Sequence, residues 1–106
     1  EKIYSSFYRL LKDGGTLGVV QHRANETADF DFKKGYVKES FLIDFVQKIG
    51  FKLEKKSEVN ANSLDEKNYP KGVWTLPPSL RLKDQNRSKY LEIGESDRMT
   101  LLFQKP

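Results

Sequence analysis

The chain has 106 residues, enough for one domain with a modest hydrophobic core and too few for two independent domains. Hydrophobic residues make up 37% and charged residues 32%, which predicts a folded globular protein rather than a disordered one. The formal net charge of +4 only just makes nucleic-acid binding worth considering, and the absence of cysteine excludes disulfides and thiolate zinc sites.

A helix followed by a strand is predicted at the start of the chain. Between residues 2 and 12, apolar side chains recur at the spacing of one face of an α-helix. Gly14 ends this helix, because glycine readily adopts the positive φ common just past a last helical turn. The apolar run that follows predicts a strand over 16–20 in the interior of an α/β sheet, with helices on both faces.

A loop, a second helix and a second strand are predicted next. Residues 21–36 have mixed charge and little periodicity, so we interpret them as the loop that leaves the first strand. Apolar residues at helical spacing over 38–49, followed by Gly50, predict a helix. Apolar and charged residues alternate over 51–59, which predicts a strand with one solvent-exposed face.

Residues 60–97 form a long segment that contains the only tryptophan, Trp74, and the Pro77-Pro78 pair. Connections of this length are often functional, so we interpret the segment as an insertion that folds over the strand ends as a substrate lid. A short helix over 87–93 lies within it, and a last strand over 98–104 closes the chain.

The predicted order of elements defines an α/β fold with three strands. A strand, helix and strand in succession normally form two parallel strands joined by a right-handed crossover. The last strand then fits antiparallel between them.

Four stretches resemble the C-terminal half of predicted bacterial S-adenosylmethionine (SAM) methyltransferases of the Rossmann-like class I. They are residues 11–15 (LKDGG), 19–24 (VVQHRA), 69–78 (YPKGVWTLPP) and 94–99 (GESDRM). Asp13 stands where such enzymes commonly have proline, and either residue suits a turn. The resemblance covers essentially the whole chain and implies that residues 1–106 are a single partial domain whose final strand is antiparallel.

The same resemblance implies that SAM is the cofactor and that it is bound mainly by an N-terminal half. The glycine-rich turn and the acidic residue about 20 positions after it are expected upstream of Glu1. Gly14 and Gly15 precede a strand, whereas a cofactor turn follows one, so no cofactor-binding residue is predicted in this chain. The chain alone is expected to be inactive.

Gln21, His22 and Arg23 follow the first predicted strand, at the edge of the sheet where α/β proteins bind ligands. His22, the sole histidine, is a candidate catalytic general base for the methyl acceptor, although we favour a simple loop hydrogen bond. Arg23 is a candidate for binding an anionic substrate group, although we favour an ion pair with Asp29 or Asp31.

Tyr36, Asn60 and Trp74 are further candidates for substrate binding. Tyr36 precedes the second helix, and Asn60 follows the second strand, where capping a turn is the favoured alternative. Trp74 is equally consistent with an apolar wall for the substrate and with a plug that closes the core. No metal site is predicted.

The alternative function is a non-catalytic α/β binding or assembly module with nucleic acid as a candidate partner. Lys33-Lys34, Lys55-Lys56 and residues 81–87 are basic, but they lack the interleaved aromatic residues of an RNA-binding sheet. We therefore interpret them as solvated surface, and nucleic acid is not the favoured partner.

The expected compartment and the expected dimerisation both depend on features that the sequence does not show. No apolar run approaches the roughly 20 residues that span a bilayer, and no leader opens the chain, so the cytoplasm is favoured. A secretion signal encoded upstream would be invisible. The strand over 16–20, without its usual neighbour, is expected to form an exposed edge through which two copies dimerise.

Overall fold

The computed structural model describes residues 2–29 and 32–106 and has a mixed α/β fold. Two short 3₁₀ turns, Phe32–Lys34 and Gly72–Thr75, lie between the regular elements. Within the described residues, no helix has both the length and the apolar character needed to cross a membrane. The elements in chain order are α1 (Lys2–Leu10), β1 (Thr16–Ala24), β2 (Val37–Lys38), α2 (Glu39–Ile49), β3 (Lys52–Ser57), α3 (Arg87–Ile93) and β4 (Arg98–Gln104).

The four strands form one open sheet in the order β2-β1-β4-β3. Strand β4 lies antiparallel between β1 and β3, in the position that the sequence predicted for the last strand. The prediction of three strands is wrong, because β2 pairs with β1 at the sheet edge. A strand of two residues is too short to show any periodicity in the sequence.

Strand β1 is longer than predicted and continues to Ala24. Gln21 and His22 were interpreted as loop residues because they are polar, yet they pair in register with Met99 and Arg98 of β4. Pairing with a neighbouring strand thus outweighs the weak apolar pattern at this end of β1.

The main core lies on one face of the sheet, beneath α2. Alternate residues of β4 point into it, and Phe103 and Met99 are fully buried. Helix α1 packs against the rim of this core, where the rings of Tyr8 and Phe51 meet edge to face at 5.0 Å between centroids. The buried members of the core are Val19, Leu42, Val46, Phe51, Met99, Leu101 and Phe103.

The opposite face of β1 is not covered by a helix in the described residues. Gly18 and Val20 are exposed, and Val20 keeps 53% of its accessible surface. The prediction that helices cover both faces of this strand is therefore wrong here.

Strand β2 pairs only with Arg23 and Ala24 of β1, so the rest of this edge of β1 has no strand partner among the described residues. Dimerisation through that edge stays a prediction.

Residues 60–97 contain a small core of their own. Tyr69, Leu76 and Tyr90 are buried together, and the two tyrosine rings meet edge to face at 5.7 Å. The predicted short helix over 87–93 is confirmed as α3. This segment between the paired strands β3 and β4, here called the insertion, is held together by its own apolar contacts, and its role as a substrate lid stays a prediction.

Truncating a core leucine of β4 should cost far more stability than truncating an exposed one. Leu101 is 2% exposed and Leu64 is 61% exposed, so Leu101→Ala and Leu64→Ala are a matched pair. We expect Leu101→Ala to lower the free energy of unfolding by about 2 to 5 kcal/mol, because it removes buried methyl groups and leaves a cavity. Leu64→Ala should stay within about 0.5 kcal/mol of the wild type.

Urea unfolding followed by circular dichroism measures both values. The smaller truncation Leu101→Val serves if the alanine variant does not fold. Equal unfolding midpoints for the buried and exposed variants would contradict the placement of Leu101 in the core.

Candidate functional site

The candidate site surrounds Arg23, near the carboxyl end of β1. The Arg23 Nε and Nη2 atoms each lie 3.0 Å from an oxygen of Asp97. Glu58 accepts two further hydrogen bonds from Nη1 and Nη2 at 3.0 and 3.2 Å, and Glu39 accepts one from Nη1 at 3.2 Å. A guanidinium group has five N–H donors, so these contacts engage its full donor capacity.

The expected ion pairing of Arg23 is confirmed, but its partners are different. Asp97, Glu58 and Glu39 take the place of Asp29, and Asp31 lies outside the described residues. The partners lie far along the chain from Arg23, and only the folded sheet brings them together. An anionic substrate group would have to displace one of these carboxylates to reach Arg23.

Asp97 is the most heavily bonded carboxylate of the site. Besides Arg23, it accepts hydrogen bonds from the Lys67 ammonium and from the backbone N–H of Asn62, both at 2.9 Å. Burial by itself would raise the pKa of Asp97, but the hydrogen bonds from Arg23 and Lys67 outweigh it and hold this pKa well below its usual range. Asp97 is therefore ionised at neutral pH.

Tyr36 and Asp65 form the inner layer of the same network. The Tyr36 hydroxyl donates to Asp65, whose oxygens lie 2.9 and 3.0 Å away, and Tyr36 is only 6% exposed. Asp65 also accepts from the backbone N–H groups of Lys67 and Asp97. Burial, together with the nearby negative charge of Asp65, raises the pKa of Tyr36. Its phenol stays protonated and acts as a hydrogen-bond donor.

His22 lies beside this network and is half-buried. Its Nδ1 atom is 2.5 Å from the hydroxyl oxygen of Ser96, a buried residue in the turn before β4. Burial and the positive charge of Arg98 lower the pKa of His22, while Asp65 opposes them weakly. The imidazole is therefore neutral at pH 7. The favoured side-chain hydrogen bond is present, but His22 makes it from strand β1 and not from a loop, and the role of general base stays a prediction.

Gln21 and Asn60 hold local structure. The Gln21 side chain accepts a hydrogen bond from the backbone N–H of His22 at 2.9 Å. The Asn60 amide donates to the Thr100 hydroxyl at 2.8 Å, and the Asn60 carbonyl accepts from the backbone N–H of Arg98. Asn60 thus ties the segment after β3 to β4. Its side chain bonds to β4, whereas the favoured alternative was that it caps a turn.

A small cavity of about 80 Å³ opens next to this network, just past the end of β1. Tyr36 and Lys67 form part of its wall, so the Arg23 network reaches the solvent here. Its lining residues are Ala24, Asn25, Ala28, Asp29, Lys34, Tyr36 and Lys67.

Trp74 lies in a different pocket, with Lys71 and Arg81. It keeps 37% of its surface exposed, whereas its neighbour Leu76 is fully buried in the small core of the insertion. Leu76 therefore plugs that core, and Trp74 remains available as a wall for a ligand.

The structure thus brings together two of the predicted substrate residues and separates a third. Arg23 and Tyr36 share one network through Asp97 and Asp65, and Trp74 lies apart from it. Sequence reasoning missed the acidic partners Asp97, Asp65 and Glu58, because a carboxylate carries no local signal of a distant arginine. In the described part of the chain, no group of three or more metal-ligating side chains is placed to hold a metal ion.

Comparison with protein-family models, with curated proteins and with solved structures finds no match for this chain.

The protonation of His22 can be measured directly, because the chain has a single histidine. We expect the imidazole proton signals in NMR spectra to titrate with a midpoint below the ordinary value of about 6.5. Arg98→Gln should raise that midpoint, since it removes a positive charge that disfavours the imidazolium. Arg9→Gln removes a charge from the exposed helix α1 and should leave it unchanged. A wild-type midpoint above 6.5 would contradict the described surroundings of His22.

Removing the charge of Asp97 should make stability less sensitive to acid. The pKa of Asp97 is depressed in the folded state, so its contribution is present above the unfolded value of about 3.9 and is lost as the pH falls further. Asp97→Asn should cost about 3 kcal/mol at pH 7, because it leaves buried positive charge without its partner. This cost should shrink between pH 5 and pH 3.

Urea unfolding at pH 7, 5, 4 and 3 measures the effect. Asp84→Asn, at an exposed carboxylate, is the matched control and should follow the wild type throughout. An Asp97→Asn penalty that stayed constant from pH 5 to pH 3 would show that the charge of Asp97 contributes nothing.

Proposed function

We propose that this chain forms the acceptor side of a SAM-dependent methyltransferase with a Rossmann-like class I sheet. The observation that supports this most is the placement of β4, antiparallel between the parallel strands β1 and β3. The methyltransferases that the sequence motifs resemble are expected to have their final strand in this position. A final strand inserted between two earlier ones is a more specific feature than the α/β class alone.

The polar network lies where such a sheet binds ligands. Arg23 and Glu58 sit at or just beyond the carboxyl ends of β1 and β3, and Asp97 precedes the amino end of β4. In open α/β sheets, ligands bind beyond the carboxyl ends of the parallel strands. The cavity lined by Tyr36 and Lys67 opens at this edge, which supports it as the place where the methyl acceptor approaches.

The described residues do not fit a SAM cradle of their own. Strand β1 is followed by Asn25-Glu26-Thr27 and strand β3 by Glu58-Val59-Asn60, and neither turn contains the glycines that let a backbone approach the cofactor. We therefore propose that SAM is held mainly by residues outside this chain. SAM would supply an activated methyl group, and this chain would position the acceptor.

The individual side chains then have three different roles. Arg23 is a positioning residue, because its donors hold the carboxylates that join three strands at this edge. His22 is neutral at pH 7 and is therefore in the protonation state that can accept a proton from the acceptor. Tyr36 is committed to Asp65 and shapes the wall of the cavity.

Calorimetric titration of SAM tests this proposal with two proteins. One is this 106-residue chain, and the other is the product of the complete reading frame that encodes it. We expect no binding tighter than about 1 mM by the chain alone, because it lacks the glycine-rich turn. The complete product should bind SAM measurably.

Two outcomes would overturn parts of the proposal. Micromolar binding by the chain alone would contradict the placement of the cofactor outside it. An absence of SAM binding by the complete product would reject methyl transfer altogether.

A further inference from the structure

A second concave pocket, of about 330 Å³, lies between the two 3₁₀ turns. Its volume falls within the range of about 300 to 1,000 Å³ that small-molecule sites commonly have. Among the described residues, every charged side chain that lines it is a cation. The lining residues are Lys33, Lys34, Pro70, Lys71, Trp74 and Arg81.

Four of the nineteen basic residues of the chain line this pocket. The Lys34 ammonium donates to the backbone carbonyls of Tyr69 and Pro70, both at 3.1 Å, and these neutral acceptors leave its charge in place. Within the described residues, no carboxylate forms a salt bridge with Lys34, Lys71 or Arg81.

Close packing fixes the backbone segments that carry these cations. Gly72 has a φ of +57°, and a Cβ atom there would lie 2.2 Å from the Lys34 carbonyl oxygen, so only glycine allows the two turns to approach this closely. The backbone N–H of Lys71 donates to the Thr75 hydroxyl at 2.9 Å, and that of Arg81 donates to the Trp74 carbonyl at 2.8 Å. The pocket is thus part of the fold rather than a chance grouping of surface lysines.

Trp74 adds a flat aromatic wall to this basic pocket. A Cβ atom at Gly35 would lie 3.1 Å from Cη2 and 3.4 Å from Cζ3 of Trp74, so the backbone after the first turn packs against this edge of the ring. The Arg81 guanidinium lies 5.9 Å from the ring centroid, within the range of a cation–π contact. An aromatic ring held in this way can stack on a planar ring of a ligand.

We propose that this pocket binds a small molecule that carries both a phosphate group and an aromatic ring, such as a nucleoside monophosphate. Arginine and lysine recognise phosphate oxygens through charge-assisted hydrogen bonds. In the part of the chain that the structure describes, no carboxylate forms a salt bridge with Arg81 or Lys71 that a ligand would have to displace. Trp74 stacks with the aromatic ring. This binding does not depend on the proposed methyl transfer.

The indole N–H of Trp74 is a site-specific probe, because the chain has only one tryptophan. The experiment follows this signal in two-dimensional NMR spectra during titration with adenosine 5′-monophosphate. Adenosine and inorganic phosphate are titrated separately under the same conditions. We expect saturable binding of the monophosphate, with an affinity at least about tenfold higher than that of either adenosine or phosphate.

Two double variants with equal charge loss separate the pocket from general electrostatics. Lys71→Gln with Arg81→Gln should weaken monophosphate binding by about tenfold or more. Arg9→Gln with Lys55→Gln removes two exposed cations from α1 and β3 and should leave the affinity within about twofold of the wild type. One-dimensional NMR spectra with unchanged dispersion show that each variant is folded.

The proposal fails if the indole signal does not shift, if adenosine binds as tightly as the monophosphate, or if phosphate alone does. It fails equally if both double variants weaken binding to the same extent. A twenty-nucleotide oligothymidylate provides the last comparison. Much tighter binding of this strand, with a steep loss of affinity as salt rises, would assign the surface to nucleic acid instead.

Discussion

The ion pair between Arg23 and Asp97 is the interaction that holds together the end of the sheet where β1 finishes. It joins the end of β1 to the residue that precedes β4, and both side chains are largely removed from solvent. Such a pair is stable only when the remaining donors and acceptors are also satisfied. Glu58, Glu39 and Lys67 meet that requirement, and they attach β3, α2 and the insertion to the same point.

The two polar sites of the protein differ in what their charges do. At the Arg23 network, cations and carboxylates satisfy each other, so its main effect is on geometry. In the pocket around Trp74, the charged lining residues that the structure describes are all cations, and the contacts that fix Lys34 are to neutral carbonyls. Lys34 lines both this pocket and the cavity beside Tyr36, so the two openings are neighbours on one side of the molecule.

Periodic segments were predictable from the sequence, and long-range polar contacts were not. The helices predicted over 38–49 and 87–93 and the strand predicted over 98–104 are present in the structure, with bounds that agree to within one residue. The extension of β1 through His22 could not be read from its polar side chains, because β4 supplies the pairing. The position of His22 and Arg23 near the carboxyl end of β1 was predictable. The pairing of Arg23 with Asp97, which lies 74 residues further along the chain, was not.

The insertion leaves and rejoins the sheet at almost the same place. The Asn60 carbonyl accepts from the backbone N–H of Arg98, and the backbone N–H of Asn62 donates to Asp97, so the two stems of the segment are fastened to each other. Its own apolar cluster holds the part beyond these stems together, while Lys67 bonds to Asp97 and Asp65 accepts from Tyr36. Because Asp97 pairs with both Lys67 and Arg23, any change in the packing of this segment is transmitted directly to the end of β1.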